Sequence, residues 1–176
     1  MLPSTASWAE RLPDQLAEWV YWSWPRVEGL DDREYLWEPV DGCWSIRPHA
    51  DGGLIMDREH STSNASPITT IAWRLCHIGG VLANRNAKLF GGPPWQEAEV
   101  RYPATAAQGV GWVADELERW LSGVRALDDE RLMQPVGPQG RSDADRSVAW
   151  LVMHVQREVI HHGAEICLLR DFYERR

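Results

Sequence analysis

Lysine is almost missing from this chain: of 18 basic residues only Lys88 is a lysine, and the others are arginines. Phenylalanine occurs twice and cysteine three times. Positive charge is also in short supply, with a formal net charge of -8 and a pI near 5.2. That balance argues against a surface that wraps a phosphate backbone, so nucleic acid is not an expected partner. No apolar run approaches the roughly 18 residues that span a bilayer, so no membrane partner is expected. The most apolar early stretch, Leu16 to Trp24, contains Glu18 and has no basic segment before it, unlike a secretory leader. Cys43, Cys76 and Cys167 are odd in number, far apart and without a CxxC pair, which excludes a disulfide framework and favours a reducing cytoplasm. Arginine in place of lysine is what a high-GC genome tends to write and carries no physics of its own.

What remains is ordinary globular material with one excess. Hydrophobic residues make up 44% and charged residues 25%, and 11 tryptophans stand against the two phenylalanines. A chain of 176 residues is long enough to bury one core, and residues 1–176 read as a single domain. Four segments carry a helical period. The first, over 5–24, repeats Trp8, Leu12, Leu16, Trp19 and Val20, with Ser4 or Thr5 as cap and Pro13 inside it. The second, over 66–90, has Ser66 and Pro67 at its start, the stripe Ile71, Leu75, Ile78 and Leu82, and Gly91-Gly92-Pro93-Pro94 at its end. The third, over 105–127, is lined by Val113, Leu117, Trp120, Leu121 and Val124. The fourth runs over 142–173. The stretch 26–66 shows no period and reads as a long ordered connection anchored by Trp37 and Trp44, and 128–141 reads as a loop. Nothing alternates with period two, so no sheet is expected. The fold class that follows is all-α, a four-helix bundle.

The two halves echo each other. Leu30-Asp31-Asp32 followed by Glu38-Pro39-Val40 matches Leu127-Asp128-Asp129 followed by Gln134-Pro135-Val136. Ile71-Ala72-Trp73-x-x-x-His77 matches Val148-Ala149-Trp150-x-x-x-His154. Duplication would make the second and fourth helices equivalent and bring their histidine faces together; matches this short also arise by chance.

The chemistry-bearing cluster is on the fourth helix: His154, Glu158, His161, His162 and Glu165. At about 100° per residue, 154, 158, 162 and 165 form one stripe. Glu158 and His162 can then offer a carboxylate oxygen and an imidazole nitrogen to the same ion, with His77 from the second helix as third ligand. Two nitrogens, one carboxylate and open positions suit a catalytic divalent metal. The plainer alternative is a Glu/His pair one turn apart with no metal at all. Against it stands the apolar remainder of the helix (Val148, Leu151, Val152, Val155, Val159, Ile166, Leu169), which makes burial of unpaired ionisable groups costly.

The run from His154 through Glu158, His162, Gly163 and Glu165 to Arg170-Asp171 resembles the last helix of the DinB/YfiT-like family. Leu36-Trp37-Glu38-Pro39 with Trp44-Ser45, and Thr69-Thr70-Ile71-Ala72-Trp73 leading to His77, resemble it too. The resemblance covers about 30 to 173. It implies a bundle with up-up-down-down connectivity and a divalent metal, zinc or nickel, on His77, Glu158 and His162. Many relatives carry histidine where this chain has Glu158; relatives similar to mycothiol-dependent maleylpyruvate isomerase carry glutamate there. It also implies S-transfer or isomerisation with a low-molecular-weight thiol and an electrophile as partners. The high-GC signature points to mycothiol, and His154 is the residue expected to orient a ligand or relay a proton.

Other residues read as structure. Cys76 and Cys167 point away from the stripe, Cys43 lies in the long connection, and His49 and His60 read as solvated. Gly91-Gly92 follows a helix rather than a strand and is no phosphate loop. Three function classes stay open: a metal-dependent thiol enzyme, a non-catalytic metal-binding or stress-associated bundle, and a homodimeric scaffold joined through tryptophan-rich faces.

Overall fold

A computed structural model of the chain describes residues 7–58, 68–92, 94–96 and 99–176. The elements in order are α1 (Trp8–Ser23), α2 (Asp32–Tyr35), β1 (Ile46–Pro48), β2 (Leu54–Met56), α3 (Ile71–Phe90), α4 (Ala106–Arg125), α5 (Asp129–Met133) and α6 (Val148–Glu174). The four long helices are the four periodic segments, and the class is the all-α bundle expected. Each begins at a hydroxyl cap that satisfies an otherwise orphaned N–H: Ser7 accepts from Glu10, Thr70 from Trp73, Thr105 from Gln108 and Ser147 from Trp150. The first, second and fourth starts fall later than the sequence suggests, the fourth at Val148 rather than 142. The expected caps Ser4, Thr5 and Ser66, with Pro67, lie outside the described residues, as does His60.

Around the bundle the order is α1, α4, α3, α6, so α1 and α3 face each other across the core, as do α4 and α6. Contacts along each seam fix direction. A side chain on Gly79 would meet Trp112, and one on Gly123 would meet Phe90, so α3 and α4 run parallel. Gln156 donates to the Leu12 carbonyl and Gly163 abuts Trp19, so α1 and α6 run parallel. Arg74 pairs with Glu165 and His77 with Glu158, so α3 and α6 are antiparallel. In chain order the helices therefore run up, down, down, up, which corrects the up-up-down-down order implied by resemblance. The length of a connection is a poor guide to its span. The connection from α1 to α3 begins and ends at the same end of the bundle, and its described part holds α2 and a hairpin. The connection from Phe90 to Ala106, with a reach of roughly 45 Å, joins opposite ends of two parallel helices of about 30 Å.

The hairpin corrects the expectation of no sheet. β1 and β2 pair antiparallel with Ile46 opposite Met56, and each strand is three residues long, too short to show an alternation. Trp44 does anchor the long connection: its N–H donates to the Ile68 carbonyl, its carbonyl accepts from Thr70, and its ring leans on Trp73. Trp37 packs edge-on against Tyr173. Cys43, expected in an open loop, is buried, as are the other two free cysteines.

The internal echo is visible in three dimensions. Asp31 caps α2 and Asp128 caps α5. Asp32 accepts from the Ala106 N–H at the start of α4, and Asp129 accepts from the Ala9 N–H at the start of α1, so each half caps the other. Trp73 stacks on His77 at 5.1 Å and 8°, and Trp150 stacks on His154 at 5.5 Å and 6°.

The core is continuous through all four long helices. Leu151 is fully buried and Leu117 nearly so. Leu151→Ala should cost about 2–5 kcal/mol in a urea melt. A change well under 1 kcal/mol would mean that this face of α6 is not in the core.

Candidate metal centre

Capped starts and apolar stripes hold α3 and α6 side by side, and the polar residues that interrupt the stripes meet at their seam. His77 Nε2 lies 3.4 Å from Glu158 Oε2, and His162 Nε2 lies 3.6 Å from the same oxygen. The two imidazoles cross edge-to-face at 4.7 Å. All three ligand atoms lie within 4.8 Å of one another. Donors held about 2.1 Å from one ion at tetrahedral angles stand about 3.4 Å apart, so the separations fit a shared divalent ion.

The donor set fits in its chemistry as well. His162 Nδ1 is 2.8 Å from Glu165 Oε2. A carboxylate only accepts, so Nδ1 carries the proton and the Nε2 lone pair is left facing Glu158. Arg74, largely buried, pairs with that same Glu165 oxygen and fixes it. Burial pushes the His162 pKa down, and the neighbouring positive groups His77, Arg74 and His161 push it further, to about 4. Burial likewise lowers His77. For Glu158 burial acts upward, but the hydrogen bonds from Arg157 and His77 outweigh it and the carboxyl sits below its usual range. At neutral pH the cluster is therefore two neutral imidazoles and one carboxylate, and its three ligand atoms converge on one point, where an ion would replace the proton that His77 Nε2 gives to Glu158.

A second grouping, His161, His162 and Glu165, also brings three donor atoms together. Its carboxylate is already matched by Arg74, whose positive charge opposes a cation there, and His161 is mostly exposed. The grouping with His77 is the better site.

His154 does not reach the three-ligand point. Arg157 Nη2 donates to His154 Nδ1 at 2.6 Å and to Glu158 Oε1 at 3.0 Å, and His154 Nδ1 stands 3.7 Å from that Oε1. It lies behind the carboxylate, on the oxygen turned away from His77 and His162. The reading of the sequence did not assign Arg74, Arg157 or the stacking role of Trp73. Arg74 and Arg157 sit three residues before His77 and one before Glu158, a spacing that is common without function. A cavity of about 150 Å³ opens beside His77, with Arg58, Asn84, Trp95 and Tyr102 among its walls. Cys76 also borders it, and burial pushes its thiol up to about 12, which leaves it protonated and inert.

No helix among the described residues is long and apolar enough to cross a membrane. No curated protein and no solved structure matches the chain. A family model does: that of the DinB superfamily, over residues 23–166. The match takes in the Trp44 anchor, all of α3 and α4, and α6 as far as Ile166, so it spans every residue of the His77–Glu158–His162 cluster and the seam that assembles it. By that match over most of its length, the chain belongs to the DinB superfamily.

Proposed function

We propose that this protein is a divalent-metal-dependent enzyme that uses a low-molecular-weight thiol for S-transfer or isomerisation. The observation that carries the reading is the convergence of His77 Nε2, Glu158 Oε2 and His162 Nε2 beside a cavity that a small molecule can enter. A bound zinc or nickel ion would act as a Lewis acid and lower the pKa of a thiol or water. The chain's own residues supply the rest. Glu165 and Arg74 hold the His162 tautomer, and Trp73 fixes the plane of the His77 ring. Arg157 pins the outer oxygen of Glu158 so that the inner one faces the imidazoles. His154, behind Glu158, is assigned a positioning and proton-holding role toward that carboxylate. Mycothiol is the thiol that the family resemblance suggests. The alternative is a non-catalytic metal-binding or stress-associated bundle, with a second copy of the chain as partner through the exposed Trp8, Tyr21 and Trp22 of α1.

Elemental analysis of protein purified without a histidine tag tests the site. Wild type should carry one equivalent of divalent metal after loading and desalting. His77→Ala should lose it and His161→Ala should keep it. Metal retained in His77→Ala but lost in His161→Ala would move the site to the second grouping. Metal-loaded protein that turns over no thiol and electrophile pair would favour the non-catalytic alternative.

A further inference from the structure

The cavity beside His77 does not stand alone. A second cavity, of about 650 Å³, follows α3 toward its C-terminus, and Asn84 and Trp95 line both. His77, Val81, Asn84 and Lys88 are spaced four, three and four, so they form one stripe on α3, and Lys88 stands about 16 Å from His77 along the axis. Among the described residues the far cavity is lined by Lys88 and Arg141 and by no carboxylate. In a chain of net charge -8, with a single lysine, such a lining runs against the composition. Nearby, Asp143 is engaged by Arg85 at 3.1 Å, and the other Arg85 terminal nitrogen is buried with no hydrogen-bond partner. At the rim, Glu99 is held by the Gln96 amide at 3.1 Å. Among the described residues, then, no carboxylate in the lining cancels that positive charge. Arg141 is the one non-glycine residue with positive φ among those described, at φ 54 and ψ -113, a conformation kept only where surrounding structure imposes it.

We propose that the two cavities form one groove that binds an elongated organic anion, its reactive end at His77 and its carboxylate or phosphate at Lys88 and Arg141. Trp95 gives the middle of the groove an apolar wall and Asn84 an amide that can accept and donate. The reactive end rests on the metal reading above; the anionic end does not. The anion could belong to the thiol or to the electrophile, and two probes separate these sources. Glutathione carries carboxylates and a thiol, and adipate is an elongated dicarboxylate with no sulfur.

Calorimetric titration of zinc-loaded protein should show saturable glutathione binding that weakens as salt is raised. Lys88→Gln and Arg141→Gln should each weaken it five- to tenfold and flatten the salt dependence, and Lys88→Arg should restore most of it. If adipate binds as well as glutathione and responds alike to Lys88→Gln, the anionic end recognises the electrophile. If only glutathione binds and still responds to Lys88→Gln, it recognises the thiol. In His77→Ala the response to Lys88→Gln should persist, which keeps failure of the metal reading distinct from failure of this one. No saturable binding of either probe, or binding indifferent to Lys88→Gln and Arg141→Gln, overturns the proposal.

Discussion

His162→Ala is expected to leave the protein without stoichiometric divalent metal, at any loading concentration that saturates wild type. His162 belongs to both groupings of ligand atoms, so no neighbouring triad can take over when it is removed. Glu165→Gln keeps the shape of the side chain but weakens the acceptor that holds the His162 tautomer, and affinity should fall about 10- to 100-fold. Acidity adds a separate check. The folded His162 pKa, near 4, lies below the value of about 6.5 expected in the unfolded chain. As pH falls below 6.5 the unfolded chain takes up a proton that the folded chain refuses, so in metal-free protein the stability lost through His162 should grow down to about pH 4 and then level off. His77 and His154 are lowered too and act with the same sign. The loss should be shallower in His162→Ala. Metal should stay bound as pH falls through 6.5, because a neutral His162 persists well below it. Elemental analysis after dialysis at pH 7, 6 and 5, with urea melts of the metal-free protein, measures both effects. Unchanged metal content in His162→Ala would remove the basis of the site.

The largest effect on stability is expected away from the ligands, at Glu34 and Arg170. Arg170 meets Glu34 with two parallel hydrogen bonds of 2.7 and 3.1 Å and also donates to the carbonyls of Arg26 and Glu28. The Glu34 side chain is 6% exposed and that of Arg170 17%. Removing either partner leaves a charge in a site with little access to water, so Glu34→Ala and Arg170→Ala should each cost about 3–5 kcal/mol. In a chain of this length that is a fall in Tm of roughly 10 °C. Replacing both should cost less than the sum of the two, because the second change removes the stranded charge left by the first. Additive losses in a double-mutant cycle would mean that the two groups do not act as a pair. The pair also bears on the site. Glu34 lies in α2 beside Tyr35, whose hydroxyl is 3.0 Å from the Pro103 carbonyl and 3.7 Å from the sulfur of Cys76, next to His77. A shifted α2 would disturb the α3 turn that presents the ligand.

The helices and half of the site are legible in the sequence because both are local. Leu117 and Leu151 fall on buried faces by their spacing alone, and Glu158 and His162 stand one turn apart whatever surrounds them. His77 is another matter. Nothing in the sequence near it says which helix it faces, and it entered through the internal echo and the family resemblance. The arginine partners were not legible because their significance is made by packing: Arg74 matters only because Glu165 lies opposite it on α6. Direction was misread for a similar reason. A loop's length limits how far it can reach but does not say where it goes, and the shorter 91–105 segment makes the long traverse. The hairpin at Ile46 and Met56 escaped because three residues cannot display a period.

The arrangement of seams has a consequence for how the chain is made. Within the first half, α1 and α3 share no main seam; each lies between α4 and α6, and the second half is placed in the same way toward the first. The helix starts follow the rule, since Asp32 completes α4 and Asp129 completes α1. The chain up to Phe90 thus holds two apolar stripes whose covering helices have yet to follow, and α4 covers only one side of each. The core closes when α6 inserts between α1 and α3. Folding therefore waits for the fourth long helix, and the segment that ends the wait is the one that carries Glu158 and His162.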